Sequence, residues 1–233
     1  MTVTYDYTGR SVLVTGGTQG IGAGIARTFR EAGAEVTVCA RKDPGPLDGL
    51  RFVQADVRVP EDVDRLIGGF DRLDVVVNNA GGSPYAPLAG TSPRLHARVV
   101  ELNLTAPLLV SQRAHPLLAA ARGAIVMIGS VSGARPSPGT SAYGAAKAGL
   151  HHLARCLAAE WAPEVRVNSI VVGLVEGWAA GESVPAGRLA TPEDVAAACL
   201  WLAAPGYVTG AEVRVDGGGE IPAWRYLASD DIS

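Results

Sequence analysis

Seven short apolar runs, spaced along the chain by segments of a different periodicity, constrain the fold more than any other feature. They read SVLVTG, EVTVCA, RFVQAD, DVVVNN, AIVMIGS, VRVNSIVV and EVRVDGG. Continuous apolar runs suit strands buried on both faces, and such strands belong to parallel sheets covered by helices. Most of the intervening segments are Ala-rich. Ile21 to Ala32 and Tyr143 to Trp161 repeat apolar residues every three or four positions. TPEDVAAACLWLAA opens with Thr191 as N-cap, Pro192 at the first helical position and an acid three residues after the cap, close to a capping box. Alternation of this kind predicts an α/β fold: a doubly wound parallel sheet of about seven strands with helices on both faces. One connection departs from the scheme. RKDPGPLDGL carries Pro44, Gly45, Pro46 and Gly49, which exclude a stable helix. A bare loop should cross there, leaving one sheet edge thinly covered.

Composition narrows the function classes. At 233 residues the chain can bury a sizeable core, and no repeat or linker-like block divides it, so residues 1–233 are expected to form a single domain. A net charge of −3 with no run of Lys or Arg gives no electrostatic basis for holding nucleic acid. Cys39, Cys156 and Cys199 fall in apolar stretches without a C-x-x-C pair and are read as small core residues. His96, His115, His151 and His152 lack metal-ligand spacing and are read as surface or satisfied helix positions, so no metal site is expected. MTVTYDYTGR has no signal pattern, and no apolar run reaches membrane-spanning length. The expected compartment is the cytoplasm, with thiols reduced.

Glycine, at 29 residues against roughly 16 at ordinary usage, is placed informatively. TGGTQGIG, Thr15 to Gly22, follows the first strand and opens the first helix. Gly16 suits a tight turn, Gly20 lets backbone approach a pyrophosphate, and Gly22 permits helix and strand to pack closely. An anion would then lie at the positive end of the helix, against otherwise unpaired N–H groups. A Rossmann-like dinucleotide site is expected, with Gly16, Thr18, Gln19, Gly20, Ile21 and Gly22 in its loop. Where the second strand ends, an acid would bind a ribose 2′-OH and an arginine would accept a 2′-phosphate. Here Ala40 is followed by Arg41 and Lys42. The cofactor favoured is NADP(H), with NAD(H) as the alternative.

The spacing G-x-x-x-G-x-G, with NNAG at Asn78 to Gly81, Asn103 in ELNL, Ser130 in MIGSVSG, YGAAK and a late VDGG, resembles the ordinary single-domain branch of the short-chain dehydrogenase/reductase family. The likeness runs over roughly residues 10–219 and includes the thirteen residues from Ser130 to Tyr143. It implies a catalytic tetrad of Asn103, Ser130, Tyr143 and Lys147, with Asn103 holding a water that links Lys147 to solvent. It also implies that Asp56 and Val57, after the third strand, contact adenine, and that Asn79, Ala80 and Gly81 form the cofactor-side turn after the fourth. A homotetramer or dimer packed through helices at about 92–121 and 143–161 is a further implication. Gln19 stands where many NADP-preferring relatives carry a basic residue.

The tyrosine and lysine carry the chemistry. The chain has only two lysines, Lys42 and Lys147, and the second lies four residues after Tyr143. Positions i and i+4 share a helix face, so phenol and ammonium reach one site. A free tyrosine titrates near 10; a neighbouring cation should lower that value toward working range. Ser130, at the end of the fifth strand, can hydrogen-bond a substrate carbonyl oxygen where negative charge develops. The mechanism expected is reversible hydride transfer between nicotinamide C4 and a carbonyl carbon, with a small-molecule ketone or alcohol as substrate, extended or bulky ketones included.

The chain also departs from the family it resembles. Val172-Gly173 replaces the usual Pro-Gly, and Gly177 replaces a threonine that contacts the nicotinamide amide. Backbone groups of Leu174 or Val175 are the expected substitutes, and Gly173 and Val175 are expected to touch the cofactor. Residues of about 174–187 would form a short substrate lid over an open, shallow pocket, with Trp178 able to stack on substrate. Ser132, Tyr85 and Arg135 are candidate pocket neighbours. The tail at 220–233, with Trp224, Tyr226 and Leu227, could pack on a neighbouring subunit or the pocket rim. Two other functions compete: a non-catalytic dinucleotide-binding sensor, and sugar epimerisation or dehydration. The second needs a larger C-terminal substrate region than the chain has.

Overall fold

All seven apolar runs become strands. The computed structural model describes residues 4–175 and 184–219. Strands β1 (Ser11–Thr15), β2 (Glu35–Ala40), β3 (Arg51–Gln54), β4 (Val75–Asn78), β5 (Ala124–Ile128), β6 (Arg166–Val172) and β7 (Glu212–Val215) form one sheet in the order β3-β2-β1-β4-β5-β6-β7. Every pairing is parallel. The register sets Val12 beside Val36 on one side and Val75 on the other.

Helices α1 (Gly20–Glu31), α2 (Pro60–Ile67), α3 (Pro93–Val100), α4 (Ala106–Ala121), α5 (Ser141–Trp161) and α6 (Pro192–Ala203) cover the two faces. The strand pleat sorts side chains between them. Leu13, Val76, Ile125 and Met127 face a core shared with Leu66 of α2, Leu118 of α4 and Leu150 of α5. Val12, Val14, Val38 and Val77 face the opposite core, with Ile25 and Phe29 of α1 and Leu202 of α6. This double burial is why the strands read as unbroken apolar runs. The N-terminus of α6 carries a full capping box: Thr191 Oγ1 accepts from the Asp194 N–H, and the Asp194 carboxylate accepts from the Thr191 N–H.

The bare crossover is present. Residues 41–50 form no helix, and Leu47 and Leu50 pack against the core beside α1. Arg30 anchors the loop by donating to both the carboxylate and the carbonyl of Asp48.

Three expectations need correction. The helix expected over about 92–121 runs unbroken from Pro93 to Ala121 but is not α throughout: α3 and α4 are continuous through a π-helical turn at Glu101–Thr105; such turns often sit at functional sites. Cys39 and Cys199 are buried, but Cys156 is exposed, because α5 turns its apolar stripe of Leu150, Ala154, Leu157 and Ala158 inward and leaves position 156 outside. Both ring nitrogens of His96 are buried with no hydrogen-bond partner among the described residues, so that histidine is not a satisfied one. Among the described residues no helix is long and apolar enough to cross a membrane. Trp178, Gly177, most of the expected lid and the whole tail at 220–233 lie outside the described residues.

Chain order reverses between β1 and β4. From β1 the sheet grows outward through β2 and β3, and from β4 it grows the other way through β5, β6 and β7. Helices from the two halves diverge there, opening a crevice at the carboxyl ends of the strands.

Candidate active site at the switch point

A cleft of about 700 Å³ opens at that crevice. Its first wall is the loop between β1 and α1. Gly16 takes φ +64° and Gly20 φ +52°, values that glycine reaches at no steric cost. A Cβ at Gly22 would overlap the Gly16 carbonyl and the Asn79 amide, so helix and loop meet at a distance that excludes any side chain. A Cβ at Gly20 would meet nothing; its backbone faces open space. Gln19 caps α1 with no side-chain hydrogen bond, and the first turn contains no acid. An uncapped helix N-terminus beside open space fits an anionic group such as a pyrophosphate.

The turn after β4 is tied to this loop. The Asn79 side-chain amide donates to the carbonyls of Thr15 at 3.0 Å and Gly16 at 3.1 Å. Thr15 Oγ1 accepts from the backbone N–H groups of Asn79 and Ala80, both at 3.0 Å. Thr15 and Gly17 were not singled out by the spacing argument. A Cβ at Gly17 would stand 2.5 Å from Val38 Cγ1, so the second glycine of TGGTQGIG seats the loop on β2. The doubled glycine was the available signal.

At the far end, Arg41 lines the cleft with Asp56 and Val57. Lys42 is exposed and does not line it. Asp56 is engaged by Arg58 through two contacts, at 2.9 and 2.6 Å. That guanidinium, with burial opposing it, holds the Asp56 carboxyl below its ordinary value.

The other wall comes from β5 and α5. Lys147 is 3% exposed and donates from Nζ to the Ile128 carbonyl at 2.7 Å. Burial lowers its pKa to about 8. Nζ lies 5.7 Å from the centre of the Tyr143 ring. Ser130 Oγ accepts from the Ser132 N–H at 3.2 Å. The expected fall in the tyrosine pKa is not what the structure shows. Burial pushes the Tyr143 phenol up, and hydrogen bonding with Ser130 pulls it back only in part. The cause is the phenol's own burial, which disfavours the charged phenolate by more than its neighbours favour it.

Asn103 sits behind this wall, fully buried. It exchanges two hydrogen bonds with Gly82, accepting from its N–H and donating to its carbonyl, both at 2.9 Å. Its second amide proton goes to the Val99 carbonyl at 2.9 Å. The amide holds the turn after β4, and its Oδ1 shares the surroundings of Gly81 with Lys147 Nζ: a Cβ at Gly81 would stand 2.7 Å from the first and 3.2 Å from the second.

Gly16, Thr18, Gln19, Gly20, Ile21, Gly22, Arg41, Asp56, Val57, Asn79, Ala80, Gly81, Ser130, Ser132, Tyr143, Lys147, Gly173 and Val175 all line the one cleft, as does Arg135. Asn103, Lys42 and Tyr85 do not; Tyr85 is 78% exposed, its ring lying against Gly139. Ser83, Ser137 and Thr140 were missed and line the Ser130 end. Their hydroxyls carry no spacing that a sequence would reveal. A Cβ at Gly173 would stand 2.6 Å from Asp216 Cα, which explains why glycine is kept there although the preceding proline is not.

Comparison with known proteins adds four observations. A family model described as enoyl-(acyl carrier protein) reductase matches residues 16–220. The chain is 35% identical to the 3-oxoacyl-(acyl-carrier-protein) reductase FabG of Chlamydia muridarum, over 90% of this chain and 96% of that one. Among solved structures, a short chain dehydrogenase/reductase family protein superposes with a TM-score of 0.86 at 35% identity, covering 91% of this chain and 98% of the other. The ligand-free aldohexose dehydrogenase of Thermoplasma acidophilum superposes with a TM-score of 0.87 at 27% identity, covering 93% and 96%.

Proposed function

Because the chain belongs to the short-chain dehydrogenase/reductase family, we propose that it is an oxidoreductase moving hydride between NADP(H) and a carbonyl or secondary alcohol substrate, with Tyr143 as general acid and base. The observation that carries this is the convergence of Ser130, Tyr143 and Lys147 in the cleft that also holds the uncapped N-terminus of α1.

The dinucleotide would supply or accept the hydride at its nicotinamide ring. The glycine loop binds its phosphates through backbone N–H groups, and Arg41 favours a 2′-phosphate. Ser130 Oγ–H donates to the substrate oxygen and orients it. The Tyr143 phenol, kept protonated by burial, donates its proton to that oxygen during reduction and takes it back during oxidation. Lys147, at about 8, keeps a positive charge beside the phenol at neutral pH and stabilises the phenolate left behind. Reduction should therefore hold its rate below pH 8 and decline above it, as Lys147 loses its charge; a pH profile of kcat/KM for reduction checks this.

The relatives named above act on different substrates by their names, and the substrate class proposed for this chain is a small-molecule ketone or alcohol, extended or bulky ones included. A homo-oligomer packed through α4 and α5 in the cytoplasm completes the proposal. Val172 in the place of the family's proline and Gly177 in the place of its threonine are the features favouring a non-catalytic dinucleotide-binding sensor or scaffold. Fluorescence titration with NADPH and NADH, followed by a ketone and alcohol panel, separates the two. Tighter NADPH binding with turnover supports the reductase; binding with no turnover of any panel member supports the sensor.

A further inference from the structure

The face of α5 that carries Tyr143 and Lys147 continues one turn further to His151, which is 3% exposed. Its ring lies against Gly129, where a Cβ would overlap Cε1 and Nε2. Nε2 is 3.4 Å from the Ser130 carbonyl oxygen, and Nδ1 is 3.2 Å from Ser169 Oγ on β6. Lys147 Nζ holds the Ile128 carbonyl at 2.7 Å, and the Gly129 N–H donates to the Ile170 carbonyl at 2.8 Å. The three residues where β5 ends are thus gripped twice from α5 and once from β6. Glycine stands in the middle because only glycine admits the imidazole.

We propose that His151 is a positioning residue, whose buried imidazole locks the carboxyl end of β5 onto α5 and so fixes the place of Ser130 in the cleft. The part that concerns turnover rests on the reading of Ser130 as the hydroxyl that holds the substrate oxygen. The geometry selects one tautomer: the proton sits on Nε2 and is donated to the Ser130 carbonyl, while Nδ1 accepts from the Ser169 hydroxyl. The opposite tautomer would set a lone pair against a carbonyl oxygen. The surroundings keep the ring neutral. Burial lowers its pKa, Lys147 and Arg155 of α5 act in the same direction, and Glu212 of β7 and the Ser130 carbonyl oppose them. Glu212 lies 3.9 Å from Nδ1 but also pairs with Arg155 at 3.3 Å, and Arg155 in turn contacts His152 at 3.4 Å, so its charge is shared.

The test is hydrogen exchange on the ligand-free protein, comparing His151→Leu with His151→Gln. Leucine cannot donate; a glutamine amide can reach the Ser130 carbonyl. The expected result is exchange about tenfold faster over residues 128–133 in His151→Leu, with wild-type protection in His151→Gln and melting of both close to wild type. In turnover with NADPH and a ketone that the wild type reduces, kcat should fall between about tenfold and a hundredfold in His151→Leu, with the cofactor KM unchanged, and recover in His151→Gln. Unchanged exchange in His151→Leu, or an equal loss in both variants, overturns the proposal. If His151→Leu does not fold, nitrogen-15 spectra of the wild-type ring decide. The Nε2–H tautomer is expected across neutral pH, and the Nδ1–H tautomer overturns the lock. A wild type without turnover would refute the hydride-transfer reading alone, and exchange would still decide the role of His151.

Discussion

The two walls of the cleft are made from different material. The wall between β1 and α1 is nearly all backbone: Gly16, Gly20 and Gly22 present no side chains, and the helix end behind them is left uncapped. The wall between β5 and α5 is made of side chains and braced by buried ones tied to backbone, with Lys147 on Ile128 in the wall itself and His151 against Ser130 and Asn103 on Gly82 behind it. A backbone wall fails when anything is added to it; a side-chain wall fails when a donor is taken away. The first can bind an anion with no charge of its own. The second must keep charged and polar groups out of water, at a cost to stability.

Substitutions at each wall can break or sharpen this contrast. Lys147→Met should give the largest effect, and in two directions. Turnover should fall by about a hundredfold or more. The fold should become more stable, because the buried ammonium, held at about 8 against about 10.4 when free, costs the folded state roughly 3 kcal/mol. Loss of the hydrogen bond to the Ile128 carbonyl takes back about 1 kcal/mol. A lysine whose folded pKa is depressed penalises folding fully below pH 8, and the penalty disappears as pH rises through the free value. The gain in denaturation midpoint should therefore be present at pH 7, shrink above pH 8, and give way to a small loss near pH 10.5, where only the missing hydrogen bond to the Ile128 carbonyl counts.

Gly22→Ala should come next, from the opposite wall. Its methyl group would overlap the Gly16 carbonyl and Asn79, so stability and NADPH affinity should each drop by about 1–3 kcal/mol, read by melting and by titration. Asn103→Leu leaves the Gly82 N–H and carbonyl without their partner, at about 1–3 kcal/mol of stability; chemical denaturation measures it. Arg41→Asp should be mildest, shifting the ratio of NADPH to NADH affinity by about tenfold toward NADH, with stability unchanged.

The contrast also explains what the sequence made legible. Gly16, Gly20 and Gly22 are visible at a glance because a backbone that no side chain may touch leaves glycine at fixed spacing, and the seven strands are visible because double burial leaves no polar alternation. Tyr143 and Lys147 show because they share a helix face four residues apart. What the spacing could not show is where each group spends its hydrogen bonds. Asn103 reads as any polar residue in a helix until the π-helical turn sets it against Gly82. Lys147 reads as a cation that lowers a tyrosine pKa, yet the burial of Tyr143 itself outweighs its neighbours and pushes the phenol up. Ser137 and Thr140, in a loop before α5, reach the cleft only through tertiary packing.

The account turns on one separation: the glycine wall binds the dinucleotide, and the α5 wall does the chemistry. Tyr143→Phe, titrated with NADPH and then assayed with a ketone that the wild type reduces, tests it directly. The account predicts wild-type NADPH affinity and turnover lower by about a thousandfold. Retained turnover would remove Tyr143 from the mechanism, and a matching loss of NADPH affinity would contradict the division of the cleft into a binding wall and a chemical one.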